Sequence, residues 1–319
     1  MGLSMCFSHC QYALINIFLA AFIVFFSSIG YAEYADSVYF GGDIITVDDK
    51  NPQVEALTVL EGKIQALGKL QNLESLLGPE TKRIDLKGRT LMPGFIDIHS
   101  HPILAAMMNQ TIDISGFHHD TPGQVFESLK KGIKEKSPGE WVIAYGWDPA
   151  IITDLRSPTL QELNALAPNN PLFIISQTLH SGFVNSLAYQ AAGINKNTPN
   201  PAGGYFEKDV KGELNGHIVE VGAMAQFSKA TPKYPRSAYL YLLTQQLEEY
   251  SKAGYTTVVA PGLQAIIPKH LQSLKEVSEH HNAPVKMFTY PMHQHLDKSA
   301  LRPHQGNQAF TVLGPKLWI

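Results

Sequence analysis

Segments with helical and strand-like patterns alternate along the last third of the sequence, and this alternation restricts the fold more than any other feature. The helical pattern of residues 239–254 precedes the apolar, β-branched run of residues 255–262. A second helical pattern, residues 268–281, precedes the strand-like residues 284–291. Strands that alternate with helices form βα units and therefore a parallel sheet. The sequence thus predicts an α/β fold.

The composition is that of a globular protein with a sizeable core. Hydrophobic residues make up 44% of the 319 residues and charged residues 17%, which excludes a disordered chain. The net charge is −3, and no stripe of basic residues stands out. These features argue against nucleic acid as a partner.

The first 32 residues form an uncharged leader with an apolar stretch at residues 13–26. The segment SSIGYA follows, with small residues at Gly30 and Ala32, and this is the layout of a secretory signal peptide with a cut after Ala32. An uncleaved membrane anchor is the alternative, because the leader is long enough to span a bilayer. Both cysteines, Cys6 and Cys10, lie in the leader. We therefore expect an exported protein, periplasmic or secreted, whose mature chain has neither disulfides nor reactive thiols.

Two histidines, His99 and His101, directly follow a short apolar run in the segment PGFIDIHSHP, residues 93–102. Alternate residues of a strand point to the same side, so we expect both imidazoles on one face of a buried strand at residues 95–98. Neutral imidazole is the commonest side-chain ligand for zinc and similar metals. Asp97 shares that face and is a candidate outer partner of the ligands. The segment thus predicts two ligands of a metal site.

The segment LMPGFIDIHSHP, residues 91–102, resembles the first-strand signature of the amidohydrolase superfamily, whose metal-dependent hydrolases have a (β/α)8 TIM-type barrel. The rest of the chain resembles the amidohydrolase family 3 branch, which includes N-substituted formamide deformylases. The segments that carry this resemblance are GWD (146–148), HSGFVNSLAYQAAGI (180–194), NPAGGYFEKDVKGELNGHIVE (200–220), AGYTTVV (253–259) and GPKLWI (314–319).

The resemblance and the changes of pattern together predict five segments. After the leader, short β-like runs with a hairpin turn at Glu61-Gly62 predict a small N-terminal β-sandwich module. The expected segments are the leader at 1–32, the β module at 33–92, the first barrel strand at 93–112, an α/β insertion at 113–236, and barrel strands two to four at 237–319.

The resemblance implies a site for one or two divalent metal ions, expected to be zinc. His99 and His101 would be the ligands of the first strand. Lys316 falls where relatives have a fourth-strand lysine that is often carboxylated and bridges two metals; a lysine that simply reaches solvent is the alternative. The family takes two further histidines from strands five and six, and a general-base aspartate from strand eight. Those positions lie beyond residue 319, so no catalytic base is assigned.

Five residues of the expected insertion are candidates for substrate binding. Trp147 and Asp148 follow a strand-like run and are expected at the substrate mouth, with a surface turn as the alternative. His180 ends another apolar run close to Asn185, which suits substrate recognition, although a hydrogen-bonded core histidine is the alternative. Glu220 ends the run GHIVE and is expected to face the pocket unless it is exposed to solvent.

The remaining histidine pairs are predicted to lie in a loop or on the surface. The second His-x-His segment, residues 293–295, is predicted to be a loop because Pro291 separates it from the preceding strand. The adjacent pairs His118-His119 and His280-His281 are predicted to lie on the surface.

The sequence therefore predicts a metal-dependent hydrolase that cleaves a non-peptide carbon–nitrogen bond of a small amide or formamide with metal-activated water. Barrel strands are expected to end near residues 101, 261, 291 and 319, and four strands are half of a complete barrel. We therefore expect a C-terminally truncated chain. An inactive half-barrel fragment and an exported small-molecule binding protein are the alternatives. The membrane is expected to be a partner only through an uncleaved leader, and the oligomeric state is not predicted.

Overall fold

The computed structural model describes residues 33–262, 268–280, 283–292, 304 and 306–316. Four of the segments discussed above lie wholly or partly outside the described residues: the leader, the pair His280-His281, the second His-x-His segment, and residues 317–319 with the predicted strand end. The chain forms two compact units that divide between Gly94 and Phe95. Among the described helices, none is both long enough and apolar enough to cross a membrane.

The first unit contains one five-stranded sheet, made of β1 (Ser37–Ile45), β2 (Gln53–Leu60), β3 (Lys63–Gly68), β4 (Lys82–Asp85) and β5 (Thr90–Leu91). The order is β3-β2-β1-β4, and β5 lies beside the second half of β1. The hairpin predicted between β2 and β3 is confirmed, and φ angles of 49° at Glu61 and 72° at Gly62 suit its tight turn.

A short helix covers this sheet where the predicted β-sandwich would need a second sheet. Helix α1 (Leu70–Leu73) packs Leu73 against Val38 and Ala56 of the sheet. Residues 33–94 therefore form a single covered sheet, and two packed sheets are not found among them.

A six-stranded mixed sheet occupies the part of the second unit that was expected to be an α/β insertion. Its strands are β7 (Ile112–Asp113), β8 (Val142–Trp147), β9 (Leu172–Ser176), β10 (Ser181–Val184), β11 (Tyr205–Lys208) and β12 (Leu214–Val219). The order is β11-β12-β10-β9-β8-β7, with parallel pairing from β7 to β9 and antiparallel pairing from β9 to β11. Four helices cover its two faces: α3 (Pro122–Lys134), α4 (Leu160–Leu166), α5 (Ser186–Ala191) and α6 (Glu220–Ala230).

Two of these helices begin with reciprocal caps that the sequence encodes. The Thr121 side chain accepts from the backbone N–H of Gln124, and the Gln124 side chain accepts from the N-cap backbone, which satisfies donors that the first turn leaves unpaired. Thr159 and Glu162 form the same arrangement at α4. Both helices therefore begin where the sequence has a threonine three residues before a glutamine or a glutamate.

The second sheet of this unit has four parallel strands, β6 (Phe95–Asp97), β13 (Tyr255–Pro261), β14 (Lys286–Tyr290) and β15 (Phe310–Val312), in the order β15-β14-β13-β6. Three further helices belong to this part: α2 (Pro102–Met108), α7 (Arg236–Lys252) and α8 (Pro268–His280). Leu243, Leu247 and Leu274 of the helices pack against Val258 and Met287 of the sheet. The predicted parallel sheet is confirmed, and within the described residues it stays open and does not close into a barrel.

One strand prediction needs correction. The first strand was expected to be buried, yet Phe95 is 53% exposed and Ile96 61%. The reason is its position, since β6 is the edge strand and pairs with β13 only among the described residues. The predicted end of the fourth strand, near residue 319, lies outside the described residues. Among the described residues, β15 ends at Val312, and Lys316 pairs with Met292 through a single bridge.

Candidate functional site

The turn after β6 brings His99 and His101 together. Their ring centroids lie 5.4 Å apart, with the ring planes at 78°. The strand ends at Asp97, so this closeness comes from the turn and not from strand alternation as predicted. The Asp97 Oδ1 atom accepts from the His99 backbone N–H at 3.0 Å, and the Ser100 N–H donates to the Val259 carbonyl at 2.9 Å. These two hydrogen bonds fix the turn to its own strand and to β13.

His101 lies at the N-cap position of α2 and is partly buried. Burial lowers its pKa, and the nearby charges of His99 and Lys316 lower the pKa further. A lowered pKa favours the neutral imidazole, which is the form that binds a metal ion. The surroundings of His101 therefore favour its neutral form.

Lys316 reaches the same region from the end of the sheet. Its backbone N–H donates to the Pro291 carbonyl at 2.8 Å, and its side chain crosses Gly262 at the end of β13. A Cβ atom on Gly262 would lie 2.8 Å from the Lys316 Cδ atom and 3.2 Å from its Nζ atom. The structure therefore gathers Lys316 and the two histidines at the carboxyl ends of the parallel strands, which is where such sheets form their active sites.

The donor set fits a metal ion only in part. Two imidazoles at this separation suit a shared ion, but a protein zinc site has three or four protein ligands. No group of three or more His, Cys, Asp or Glu side chains that could hold a metal ion occurs within the described part of the chain. Two imidazoles alone do not complete such a site, and the metal-ligand roles of His99, His101 and Lys316 stay predictions.

Two of the predicted substrate-binding residues form a pair at the end of the six-stranded sheet. The His180 Nδ1 atom lies 2.9 Å from the Glu220 Oε2 atom, and the Glu220 N–H donates to the His180 carbonyl at 2.6 Å. The φ angles of Leu179 and Glu220 are 62° and 70°, a left-handed conformation that non-glycine residues adopt at a cost. The pair is held in place on both sides while its side chains stay accessible to solvent.

Asn185 has a structural role instead of the predicted contact with substrate. The side chain is fully buried, and it caps α5 by accepting from the Ala188 N–H at 2.9 Å. It also accepts from the Leu172 N–H and donates to the carbonyls of Ala167 and Asn170. Its hydrogen-bonding capacity is thus used by the backbone, so none is available to a ligand.

Trp147 and Asp148 also differ from the predicted substrate mouth. Trp147 is 2% exposed and packs edge-on against Phe126 and Phe183. Asp148 accepts from the Ala150 N–H at 2.9 Å, which forms a turn after β8. The structure therefore places Trp147 in the core and Asp148 in the turn that was its alternative interpretation.

Sequence reasoning missed two hydrogen-bonded histidines of this region. His119, predicted to be at the surface, is partly buried, and its Nε2 atom lies 2.8 Å from the Ser128 Oγ atom. The His217 Nδ1 atom lies 3.0 Å from the Glu207 Oε2 atom. Neither pair forms a recognisable motif, because the partners belong to different elements. His118 is exposed, as predicted.

Residues 82–318 match the amidohydrolase family (Amidohydro_3). This match covers more than half of the chain, so the chain belongs to the amidohydrolase family, and the resemblance found in the sequence is confirmed. Two curated relatives are similar over about 70% of the chain. One is an N-substituted formamide deformylase of Arthrobacter pascens, 32% identical over 70% of this chain and 42% of its own. The other is a putative amidohydrolase YtcJ of Bacillus subtilis (strain 168), 30% identical over 69% of this chain and 41% of its own.

The fold resembles the crystal structure of an uncharacterized metal-dependent hydrolase from Pyrococcus horikoshii OT3. The TM-score is 0.62 at 22% sequence identity, over 88% of this chain and 53% of that chain. This likeness confirms the mixed α/β fold. The chain spans less than half the length of the two curated relatives described above.

Proposed function

We propose that this chain carries one part of the active site of a metal-dependent hydrolase that cleaves a non-peptide carbon–nitrogen bond in a small amide or formamide. The observation that carries the proposal is the approach of His99, His101 and Lys316 at the carboxyl ends of parallel strands in a member of the amidohydrolase family. A bound divalent metal, proposed to be zinc, supplies a Lewis acid that polarises the substrate carbonyl and activates water.

The chain's own residues prepare this site in two ways. Partial burial lowers the pKa of His101 and so favours the neutral imidazole, whose lone pair can bind a metal ion. The Asp97 carboxylate holds the backbone of His99 and thereby the orientation of the first ligand. Carboxylation of Lys316 would add oxygen ligands, and its position beside the two imidazoles supports this part of the proposal.

The pair formed by His180 and Glu220 is proposed to orient the substrate. Glu220 holds the Nδ1 side of the imidazole, which leaves the Nε2 atom to hydrogen-bond an amide group. The strained backbone at Glu220 supports this role, because strain of this kind concentrates at functional sites.

Export of the protein is likewise a proposal, and it rests on the uncharged leader of residues 1–32. The N-terminal sequence of the mature protein tests it. A chain that begins after Ala32 supports export with cleavage, and a chain that keeps the leader contradicts cleavage.

A cobalt titration tests the metal site. Co²⁺ added to the chain is expected to give a visible absorption band, which the double variant His99→Ala with His101→Ala loses. His118→Ala is the matched control, because His118 is also an exposed histidine beside a carboxylate. An absorption band of the same strength in the double variant would refute the metal site. Turnover of an N-substituted formamide by the metal-loaded chain then tests the reaction itself.

A further inference from the structure

A second set of groups with catalytic geometry lies in the second unit, on elements other than the turn after β6. The His119 Nε2 atom is 2.8 Å from the Ser128 Oγ atom, and the His119 Nδ1 atom is 3.0 Å from the Ser115 carbonyl oxygen. A nucleophile within hydrogen-bonding distance of a base, with the base oriented by a third group, is the arrangement of serine hydrolases.

The chemistry of the three groups fixes the direction of each hydrogen bond. The Ser115 carbonyl has no proton to donate, so the Nδ1 atom of His119 must carry one. In the neutral ring the Nε2 atom then holds the lone pair, and it accepts from the Ser128 hydroxyl. His119 is therefore in the tautomer that can remove the hydroxyl proton.

The carbonyl that orients the imidazole is itself fixed. Ser115 is 4% exposed, and its N–H donates to the Asp113 Oδ1 atom at 2.8 Å. The backbone N–H groups of His118 and His119 both donate to its carbonyl at 3.1 Å. Gly146 packs so closely that a Cβ there would lie 2.7 Å from the Ser115 Cα atom. The imidazole is thus held by rigid backbone.

Ser128 also lines a large cleft. The cleft has a volume of about 1610 Å³, above the ~300–1,000 Å³ typical of a small-molecule pocket. Lys131 lies one helical turn after Ser128, on the same face of α3, and it places a cation in the lining of the same cleft. Apolar side chains line other parts of the cleft: Met107, Met108, Ile143 and Ile175.

We propose that Ser128 is a nucleophile, activated by His119, that accepts acyl groups with an apolar chain from aryl esters bound in this cleft. The proposal goes beyond the metal-dependent reaction and does not depend on it. A neutral carbonyl stabilises an imidazolium less than the carboxylate of a full triad does. The dyad therefore suits a substrate with a good leaving group, which is why an aryl ester is preferred over an amide.

The reaction has two balanced steps. The Ser128 Oγ atom forms a bond to the ester carbonyl carbon, its proton passes to His119, and the carbon–oxygen bond to the aryl group breaks as the phenol takes that proton. Water then attacks the acyl carbon and gives a proton to His119. The bond to the Oγ atom breaks, the serine regains its proton, and a carboxylic acid leaves.

Acylation by p-nitrophenyl butyrate tests the proposal on the chain as it stands. We expect a burst of nitrophenol and a butyryl adduct on Ser128, located by peptide mass spectrometry. Ser128→Ala should lack the adduct, and His119→Ala should acylate about 100-fold more slowly, which is the usual contribution of a general base. Added imidazole should restore part of that rate, an effect that a purely structural hydrogen bond would not show.

Ser228→Ala is the matched control, because Ser228 also lines the cleft but its hydroxyl donates to the Met224 carbonyl. It should still form the adduct on Ser128. If loss of the hydroxyl prevents folding, Ser128→Cys and Ser228→Cys replace the alanine variants. The thiol at 128 should then react with iodoacetamide at least 10-fold faster than the thiol at 228. The absence of an adduct on Ser128 in the parent chain, or equal thiol reactivity, would overturn the proposal.

Discussion

Replacement of Asn185 by alanine distinguishes a structural side chain from one that binds substrate. The change removes two hydrogen bonds that the side chain accepts, from Leu172 and Ala188, and two that it donates, to Ala167 and Asn170. The Asn185 side chain is fully buried, so its removal leaves these four backbone groups without that partner. Each unsatisfied buried group costs about 1–3 kcal/mol.

The total is smaller than four such costs. Carbonyl oxygens have a second lone pair, and water can enter the space that the amide leaves. Loss of the helix cap is worth about 1 kcal/mol and is included in the same set of bonds. We therefore expect Asn185→Ala to lower the free energy of unfolding by about 3–4 kcal/mol, a large part of the ~5–15 kcal/mol of a typical domain.

Urea unfolding followed by circular dichroism measures this loss. Asn164→Ala is the matched control, because its side chain accepts a single hydrogen bond, from the Ser186 N–H, and about 1 kcal/mol is expected. Asn185→Asp keeps the acceptor atoms but buries a carboxylate, so its stability should rise as the pH falls and the carboxylate takes a proton. Equal losses for Asn185→Ala and Asn164→Ala would refute the structural role.

Two further predictions concern the ends of the parallel strands and the loss of stability at low pH. Gly262→Ala puts a Cβ against the Lys316 side chain and should move the lysine charge away from His101. Because Lys316 lowers the pKa of His101, that pKa should rise, and an NMR titration measures the change. The ion pair with Arg156 lowers the pKa of Glu162 to about 2. Because the folded-state pKa of Glu162 lies below its unfolded-state pKa, the ionised Glu162 stabilises the fold above about pH 4.5. This contribution is lost as the pH falls through about 2. The midpoints of urea unfolding across this pH range measure the loss.

Matched variants separate the causes in both experiments. Gly212 also has a positive φ, 80°, but a Cβ there would contact nothing within 4 Å. Gly212→Ala should therefore carry a similar backbone cost, about 1–2 kcal/mol, without a change in the titration of His101. An equal pKa change in both glycine variants would contradict the role of Lys316. Arg156→Ala should reduce the loss of stability at low pH. An unchanged loss would show that the ion pair does not stabilise the fold.

The sequence predicted features that depend on neighbouring residues. The alternation of patterns after residue 237 gave the parallel strands β13 and β14, because periodicity reports which faces of a local element are buried. The cap at Thr121 and the turn at Glu61-Gly62 were predictable for the same reason, since each is encoded within four residues. These features do not require knowledge of distant contacts.

Features that depend on distant residues were missed. The exposure of Phe95 follows from the position of β6 at a sheet edge, and position in a sheet is decided by partners far along the chain. Asn185 looked like a substrate contact because polar residues near a histidine suggest a site. Its partners at 167–172 are visible only in the folded chain. The bond between His119 and Ser128 likewise joins a loop to a helix face.

The turn after β6 also changes what the histidine pair depends on. If strand alternation brought the two imidazoles together, their positions would depend on the burial of β6. The large side chains of β6 are exposed, so burial would fix the strand only weakly. Instead the Asp97 carboxylate fixes the His99 backbone, and Ser100 fixes the turn to Val259 of β13. Backbone hydrogen bonds of this kind do not require a packed strand. The two imidazoles can therefore keep their separation at the edge of an open sheet.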